Sequence, residues 1–211
     1  MSQHLPEPVH REKSYVAIKI LNGYSTDLAK SGHVWELEAL KRLWLPTPNV
    51  HCLSLLSNFI MPGKGSAGDH LCLVTQLLGG DVKLLQNIHN SVFPFPLAKR
   101  ILLHLLRGIA HAHSRGVVHT DLKHDNIFFD AHLDTQAFGQ LLTFDPPRRH
   151  PPEASHDGII KAAVSQPLPI PSYQEAMRRT YIVADFGSCK SKSLSSYAVS
   201  SLHDFSTERL L

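Results

Sequence analysis

The sequence contains no run of 18 apolar residues, the length that crossing a membrane as a helix requires, and its first residues, Met-Ser-Gln-His-Leu-Pro-Glu-Pro, hold no apolar core of a secretory signal. Cysteine is scarce. Cys52, Cys72 and Cys189 are odd in number, far apart and form no C-x-x-C pair, so neither a disulfide framework nor a zinc site is indicated. An excess of one charge is also missing: 21 basic and 18 acidic residues leave a formal +3, too balanced for a nucleic-acid or membrane surface. Fifteen histidines are present, but the closest pair, His111 and His113, sits two apart on a helical pattern and points to different faces, so it does not share an ion. These absences describe a soluble intracellular protein, cytoplasmic or nuclear, with no direct nucleic-acid or membrane partner.

What remains is a globular composition. With 211 residues and 43% hydrophobic content the chain is long enough to bury a sizeable core, as one large domain or two small lobes. Residues 1–14 are polar and aperiodic and read as a flexible lead-in. Tyr-Val-Ala-Ile-Lys-Ile-Leu from Tyr15 reads as a strand carrying Lys19, and Asn22-Gly23 after it as a turn or hairpin signal. Val34, Leu37, Leu40 and Trp44 recur at helical spacing, predicting one helix of about four turns over 29–45. Glu36 and Glu38 lie off that stripe. Apolar runs over 53–60 and 71–78 predict a hairpin, and Gly79-Gly80 a hinge; Gly63-Lys64-Gly65-Ser66 lacks phosphate-loop spacing and reads as a plain turn.

The clearest helix follows Pro94 and Pro96, with Leu97, Ile101, Leu105, Ile109 and Ala112 on one face and Gly116 as its stop. Residues 131–180 are proline-rich, with Asp-Pro-Pro-Arg-Arg-His-Pro-Pro-Glu and Gln-Pro-Leu-Pro-Ile-Pro, and read as an insertion looping over the surface without regular elements. Tyr181-Ile-Val-Ala-Asp185-Phe186-Gly187 then restores order as a short strand delivering an aspartate into a turn. Residues 191–211 form a serine-rich tail.

Chemistry concentrates in residues 119–126, His-Thr-Asp-Leu-Lys-His-Asp-Asn, where Asp121, Lys123 and Asn126 fall between the helix and the apolar run Ile127, Phe128, Phe129. A carboxylate, a cation and an amide oxygen fixed at both ends suit the positioning of a hydroxyl, a phosphate and a metal ion together. The pattern resembles the protein kinase catalytic loop H-R-D-x-x-x-x-N, with Thr120 where most kinases carry Arg, and Lys123 points to the Ser/Thr branch. Val-Ala-Ile-Lys19 resembles the kinase strand whose Lys pairs with a Glu on the next helix; Glu36 is the preferred partner and Glu38 the fallback. Asp185-Phe186-Gly187 resembles the kinase D-F-G.

The ordered set implies an α+β, bilobal kinase-like fold, incomplete at both ends, with a partial β-rich lobe over 15–78 and a partial helical lobe over 79–190. By resemblance, Asp121 orients or accepts the proton of a protein Ser or Thr hydroxyl and Lys123 steadies the phosphoryl group. Asn126 and Asp185 ligate Mg²⁺, and Lys19, held by Glu36, contacts the ATP phosphates. Thr75 backs the nucleotide pocket, with the backbone of Gln76 and Leu78 at the adenine edge. His-Thr-Asp and a long insert before D-F-G resemble the SR-protein kinase group, particularly its fungal members, which implies an Arg/Ser-rich substrate. No glycine precedes Lys19, so the Gly-rich lid is missing, and no A-P-E follows Lys190. Such a core leaves apolar surface that calls for a covering partner. The competing reading is a truncated or degenerate kinase-like module that binds nucleotide or a protein without turnover.

Overall fold

The computed structural model describes residues 15–65, 68–88, 92–155 and 158–191. The lead-in over 1–14, the tail over 192–211 and Ser66 lie outside the described residues. The chain divides into two compact units, one of residues 17–131 and 167–191, the other of Tyr15, Val16 and 132–166.

The first unit holds β1 (Val16–Ile20) from Ala17 onward, an edge of a three-stranded sheet ordered β1-β3-β2. Asn22 does not turn a hairpin. Its side chain accepts from the Ser25 N–H at 2.7 Å and caps α1 (Gly23–Lys30), because an Asn oxygen satisfies a free N–H of a first helical turn. The single expected helix is likewise two: α1 ends before Gly32, whose φ of +78° suits a residue without Cβ, and α2 (Glu36–Trp44) starts afresh. Ala39, Leu40 and Leu43 form the buried face of α2. β2 (Leu55–Met61) and β3 (His70–Gln76) pair antiparallel as the apolar runs predicted.

Gly79 and Gly80 belong to β4 (Leu78–Asp81), which pairs with β6 (Ile127–Asp130). A Cβ on Gly79 would stand 2.4 Å from the Phe129 ring, so Gly79 and Gly80 make room for an aromatic side chain. α3 (Val82–Ile88) leads to α4 (Phe95–Ser114), which buries Leu97, Ile101 and Ala112 as expected. It also buries His104 and Gly108, while Leu105 and Ile109 are only half-buried. Gly116, at φ +70°, ends it. The opposite face of α4 leaves Leu102 and Leu106 more than half exposed, and Ile18 and Ile20 of β1 are equally open.

β5 (Val117–Val118) pairs with β10 (Lys190–Ser191), and β9 (Tyr181–Val183) pairs with β6 to complete the sheet β4-β6-β9. One core cluster joins α2, β3, Val183 and Phe186; a second joins Leu85, Leu97, Phe129 and Tyr181.

The span 131–180 holds more regular structure than its prolines predict. Asp134 caps α5 (Thr135–Phe144), accepting from the Ala137 N–H at 2.6 Å, and the rings of Tyr15 and Phe138 meet at 4.2 Å. β7 (Glu153–Ser155) and β8 (Gly158–Ile160) form a hairpin in the same unit. Residues 167–180 are no surface loop: Ser172 and Glu175 build a capping box for α6 (Tyr173–Ala176), and Ile170 and Met177 pack on the second core cluster. The prolines are confined to the connections, where their missing N–H costs nothing.

Gly108 tests the packing of α4. Alanine would gain about 1 kcal/mol in helix propensity, but its Cβ would stand 2.5 Å from the His51 carbonyl oxygen, a backbone atom that cannot swing aside. Gly108→Ala is expected to cost about 1–3 kcal/mol net, read as a lower urea midpoint; an unchanged or raised midpoint contradicts this packing.

Candidate active site

Lys19 leaves β1 toward α2, and its ammonium nitrogen lies 2.8 Å from Glu36 Oε1 and 3.0 Å from Asp185 Oδ1. Glu36 occupies the first turn of α2 and is buried, whereas Glu38 pairs with Arg42 at 3.2 Å on the surface. The preference for Glu36 over Glu38 therefore matches the geometry. Burial works against the charge on Lys19, but Glu36 and then Asp185 outweigh it and hold the ammonium above its ordinary pKa. Gly187 borders this junction: a Cβ there would make ordinary contacts, 3.4 Å from Asp185 Oδ1 and 3.7 Å from Glu36 Oε2.

Asp185 has φ 58° and ψ 66°, a left-handed conformation that a non-glycine residue holds only under constraint. The constraint comes from both neighbours. Ala184 donates its N–H to the Asn126 carbonyl at 2.9 Å, and its carbonyl accepts from His119 Nε2 at 2.9 Å. His119 Nδ1 accepts the Asp121 N–H at 3.4 Å, so these partners assign the neutral Nε2–H tautomer. Phe186 is fully buried, its ring 4.8 Å from that of His119. Thr120, at φ 59°, is a second left-handed residue and donates its hydroxyl to the Ser188 carbonyl at 2.6 Å.

Asp121 and Lys123 form an ion pair at 2.8 Å. Asn126 donates through Nδ2 to the Asp121 carbonyl at 2.9 Å and to Asp121 Oδ2 at 3.1 Å, which leaves its Oδ1 to offer a cation. The Lys123 hydrogen bond, supported by Asn126, holds the Asp121 carboxyl below the usual carboxylate range, and Asp121 in turn raises Lys123. Asp125 serves elsewhere, paired with Lys83 at 2.8 Å.

A cavity of about 470 Å³ is lined by Lys19, Glu36, Thr75, Gln76, Leu78, Asn126 and Asp185, together with Ala17, Leu73 and Phe128. All five residues predicted for nucleotide and both predicted for metal thus line one space. Asp121 and Lys123 are not in its wall and are joined to it by Asn126. A larger cavity of about 540 Å³, between α1, α2 and β2, carries none of these residues. Chemistry rather than size favours the smaller one.

Two features escaped the sequence. Thr120 showed only as a departure from Arg, and nothing signalled its backbone role. His51 and His104, both buried, hold the strand leading to Asp185, and a histidine among fifteen gives no such sign.

An α+β unit bringing a strand lysine, a helix glutamate and an aspartate after β9 to one cavity defines the class. A family model described as the protein kinase domain matches residues 8–143, and the chain belongs to that family, with an incomplete bilobal kinase fold. Asp185 lies beyond the matched residues and is joined to them by geometry. The mitogen-activated protein kinase HOG1 of Hortaea werneckii is 34% identical over 134 residues, 61% of this chain and 33% of the relative. HOG1B of Wallemia ichthyophaga is 34% identical over 140 residues, 63% and 34% respectively. The protein hog1 of Aspergillus glaucus is 34% identical over 134 residues, 61% and 32%. The chain spans about a third of the length of these curated relatives. They carry the name of mitogen-activated protein kinases and give no support to the SR-protein kinase group expected from His-Thr-Asp and the insert.

The Lys19 and Glu36 pair is asymmetric in burial, 48% against 4% side-chain exposure, so its two halves are not equivalent. Lys19→Met strands a buried carboxylate and is expected to cost about 1–3 kcal/mol. Glu36→Gln leaves Lys19 with Asp185 and water and is expected to cost less than about 1 kcal/mol. Adding Glu36→Gln to Lys19→Met is then expected to recover stability in urea denaturation.

Proposed function

We propose that this chain is the catalytic segment of a Ser/Thr protein kinase, transferring the γ-phosphoryl group of ATP to a Ser or Thr hydroxyl of a protein. One observation carries the reading: Lys19 joins Glu36 to Asp185 while Asn126 lines the same cavity and grips Asp121. The cavity volume is within the usual range of small-molecule and cofactor sites. Asp185 and Asn126 are an all-oxygen donor pair lining the cavity, with no histidine or cysteine among its lining residues. That fits Mg²⁺, which takes one or two protein oxygens and fills its octahedron with water and phosphate, and not zinc.

Mg²⁺–ATP, when bound, supplies the phosphoryl group and the charge that neutralises its oxygens. Lys19 offers its ammonium N–H groups to the α- and β-phosphates, and Glu36 keeps it from swinging into solvent. Asp185 Oδ and Asn126 Oδ1 would hold the ion. Thr75 would close the back of the nucleotide site, and the backbone of Gln76 and Leu78, which also line the cavity, would offer hydrogen bonds to the adenine. Asp121, whose carboxyl is lowered by the Lys123 hydrogen bond and held in place by Lys123 and Asn126, would receive the proton of the attacking hydroxyl, and Lys123 would also face the transferring group. The relatives' names favour the mitogen-activated kinases as subgroup; an Arg/Ser-rich acceptor is the finer alternative to be tested. Three buried free cysteines and the site's chemistry suit a reducing, intracellular setting.

A second reading, a module that binds nucleotide without turnover, is favoured by β1, which among the described residues is the outer strand of its sheet and leaves Ile18 and Ile20 exposed beside the cavity residues Ala17 and Lys19. The two separate experimentally. Wild-type protein is expected to show an Mg²⁺-dependent ATP thermal shift and to label an Arg-Ser repeat peptide or a general Ser/Thr protein acceptor with ³²P. Asp121→Ala is expected to keep the shift and lose about 10²–10⁴-fold of the transfer. Binding with no transfer above the Asp121→Ala level would establish the second reading.

A further inference from the structure

β9 leads directly into Asp185, and one edge of it pairs with β6. On the other edge Val183 is bonded by backbone, its N–H donating to the His51 carbonyl at 2.9 Å and its carbonyl accepting from the Leu53 N–H at 2.9 Å. Tyr181, two residues earlier, has no strand there. Its N–H donates to His104 Nδ1 at 3.1 Å, and its carbonyl lies 3.1 Å from His51 Nδ1. Since a carbonyl only accepts and an amide N–H only donates, His51 must carry its proton on Nδ1 and His104 must have Nδ1 bare. The two rings lie 4.3 Å apart at 35° and are both buried. Two imidazoles of opposite tautomer thus stand where a neighbouring strand would offer one carbonyl and one amide.

We propose that His51 and His104 are positioning residues for Asp185: as a neutral pair they complete the edge of β9 at Tyr181 and fix the strand from which Asp185 enters its left-handed turn. The inference rests on the nucleotide and metal reading of the site. A half-satisfied strand end would let β9 shift by fractions of an ångström, which is enough to loosen a metal ligand four residues on.

The surroundings keep the pair neutral. Burial, then the neighbouring His51 ring and Arg100 and Arg107 of α4, push His104 down to about 4, and burial lowers His51 as well. Tyr181, the other titratable group against them, is itself buried, with its hydroxyl donated to the Ala176 carbonyl. A proton added to His104 Nδ1 would set N–H against N–H at Tyr181. Because the unfolded chain takes up that proton near 6.5 and the folded chain only near 4, this contribution to stability is complete above about pH 6.5. It is lost as the pH falls toward 4.

The test compares full-length wild type, His104→Leu and His104→Gln, whose amide oxygen can accept the Tyr181 N–H but does not titrate. ATP affinity is measured with and without Mg²⁺ at pH 7.5, and thermal midpoints from pH 7.5 to 5. His104→Leu is expected to lose the Mg²⁺-dependent gain in affinity by roughly fivefold or more while Mg²⁺-free affinity stays within about twofold. His104→Gln is expected to restore the gain and to show a shallower acid decline than wild type. A His104→Leu protein that keeps the gain, or loses both affinities alike, overturns the positioning role, as does His104→Gln behaving like His104→Leu. Wild type with no Mg²⁺-dependent ATP binding overturns the proposed function itself and this inference with it.

Discussion

One ammonium group ties three segments of the chain together. Lys19 comes from β1, Glu36 from the start of α2 and Asp185 from the turn after β9, and without the lysine two carboxylates would face each other across one junction. Carboxylates so placed repel unless a cation lies between them. Because Glu36 is buried and Asp185 half-exposed, the lysine is held firmly on its α2 side and remains available on the other. The break at Gly32 lets α2 begin afresh, with Glu36 in its first turn.

The same economy governs β9. From Tyr181 to Ala184 its backbone groups are taken up on both edges: by β6, by residues 51–53, by the histidine rings, by the Asn126 carbonyl and by His119. Only after this full satisfaction does the chain enter the unfavourable conformation of Asp185. Residual strain of order 1–3 kcal/mol persists where the surroundings over-determine it, and here they do so within four residues. Thr120 and Asp185, the two left-handed residues of the site, lie on either side of His119, which bonds to the neighbour of each.

Much of the site was legible because its chemistry demands particular residues at particular spacing. Lys19, Glu36, Asp121, Asn126 and Asp185 are polar groups set against apolar strands and helices, and such interruptions stand out in sequence. Elements with a strong period were equally readable, α4 and the β2-β3 hairpin above all. Errors arose where one residue type serves two structures. Asn22-Gly23 is a turn signal and also a helix cap followed by helix; the context deciding between them is Thr26, whose hydroxyl accepts the Leu71 N–H and anchors α1 to β3. Gly79-Gly80 carries no sequence sign of its second use, the space it leaves for Phe129, 50 residues away. The prolines of 131–180 masked α5 because they lie only outside it.

The division of the chain into units explains why Asp185 is coupled to the rest although it lies beyond the matched residues. Residues 132–166 close on themselves, and what resumes at residue 167 packs into the core cluster of Leu85, Leu97 and Phe129 rather than starting a new one. Arg179 anchors the returning chain: its Nη1 donates to the Ala131 carbonyl at 3.2 Å, where the excursion leaves, and its own carbonyl accepts two bonds from the Arg100 guanidinium of α4 at 3.0 and 2.9 Å. Asp130 and Thr180 are then joined by a backbone bond of 3.0 Å, which sets the register of β6 against β9. An insert bounded by such a clamp can vary in length and content without moving Asp185, since loop length enters the closure entropy only logarithmically.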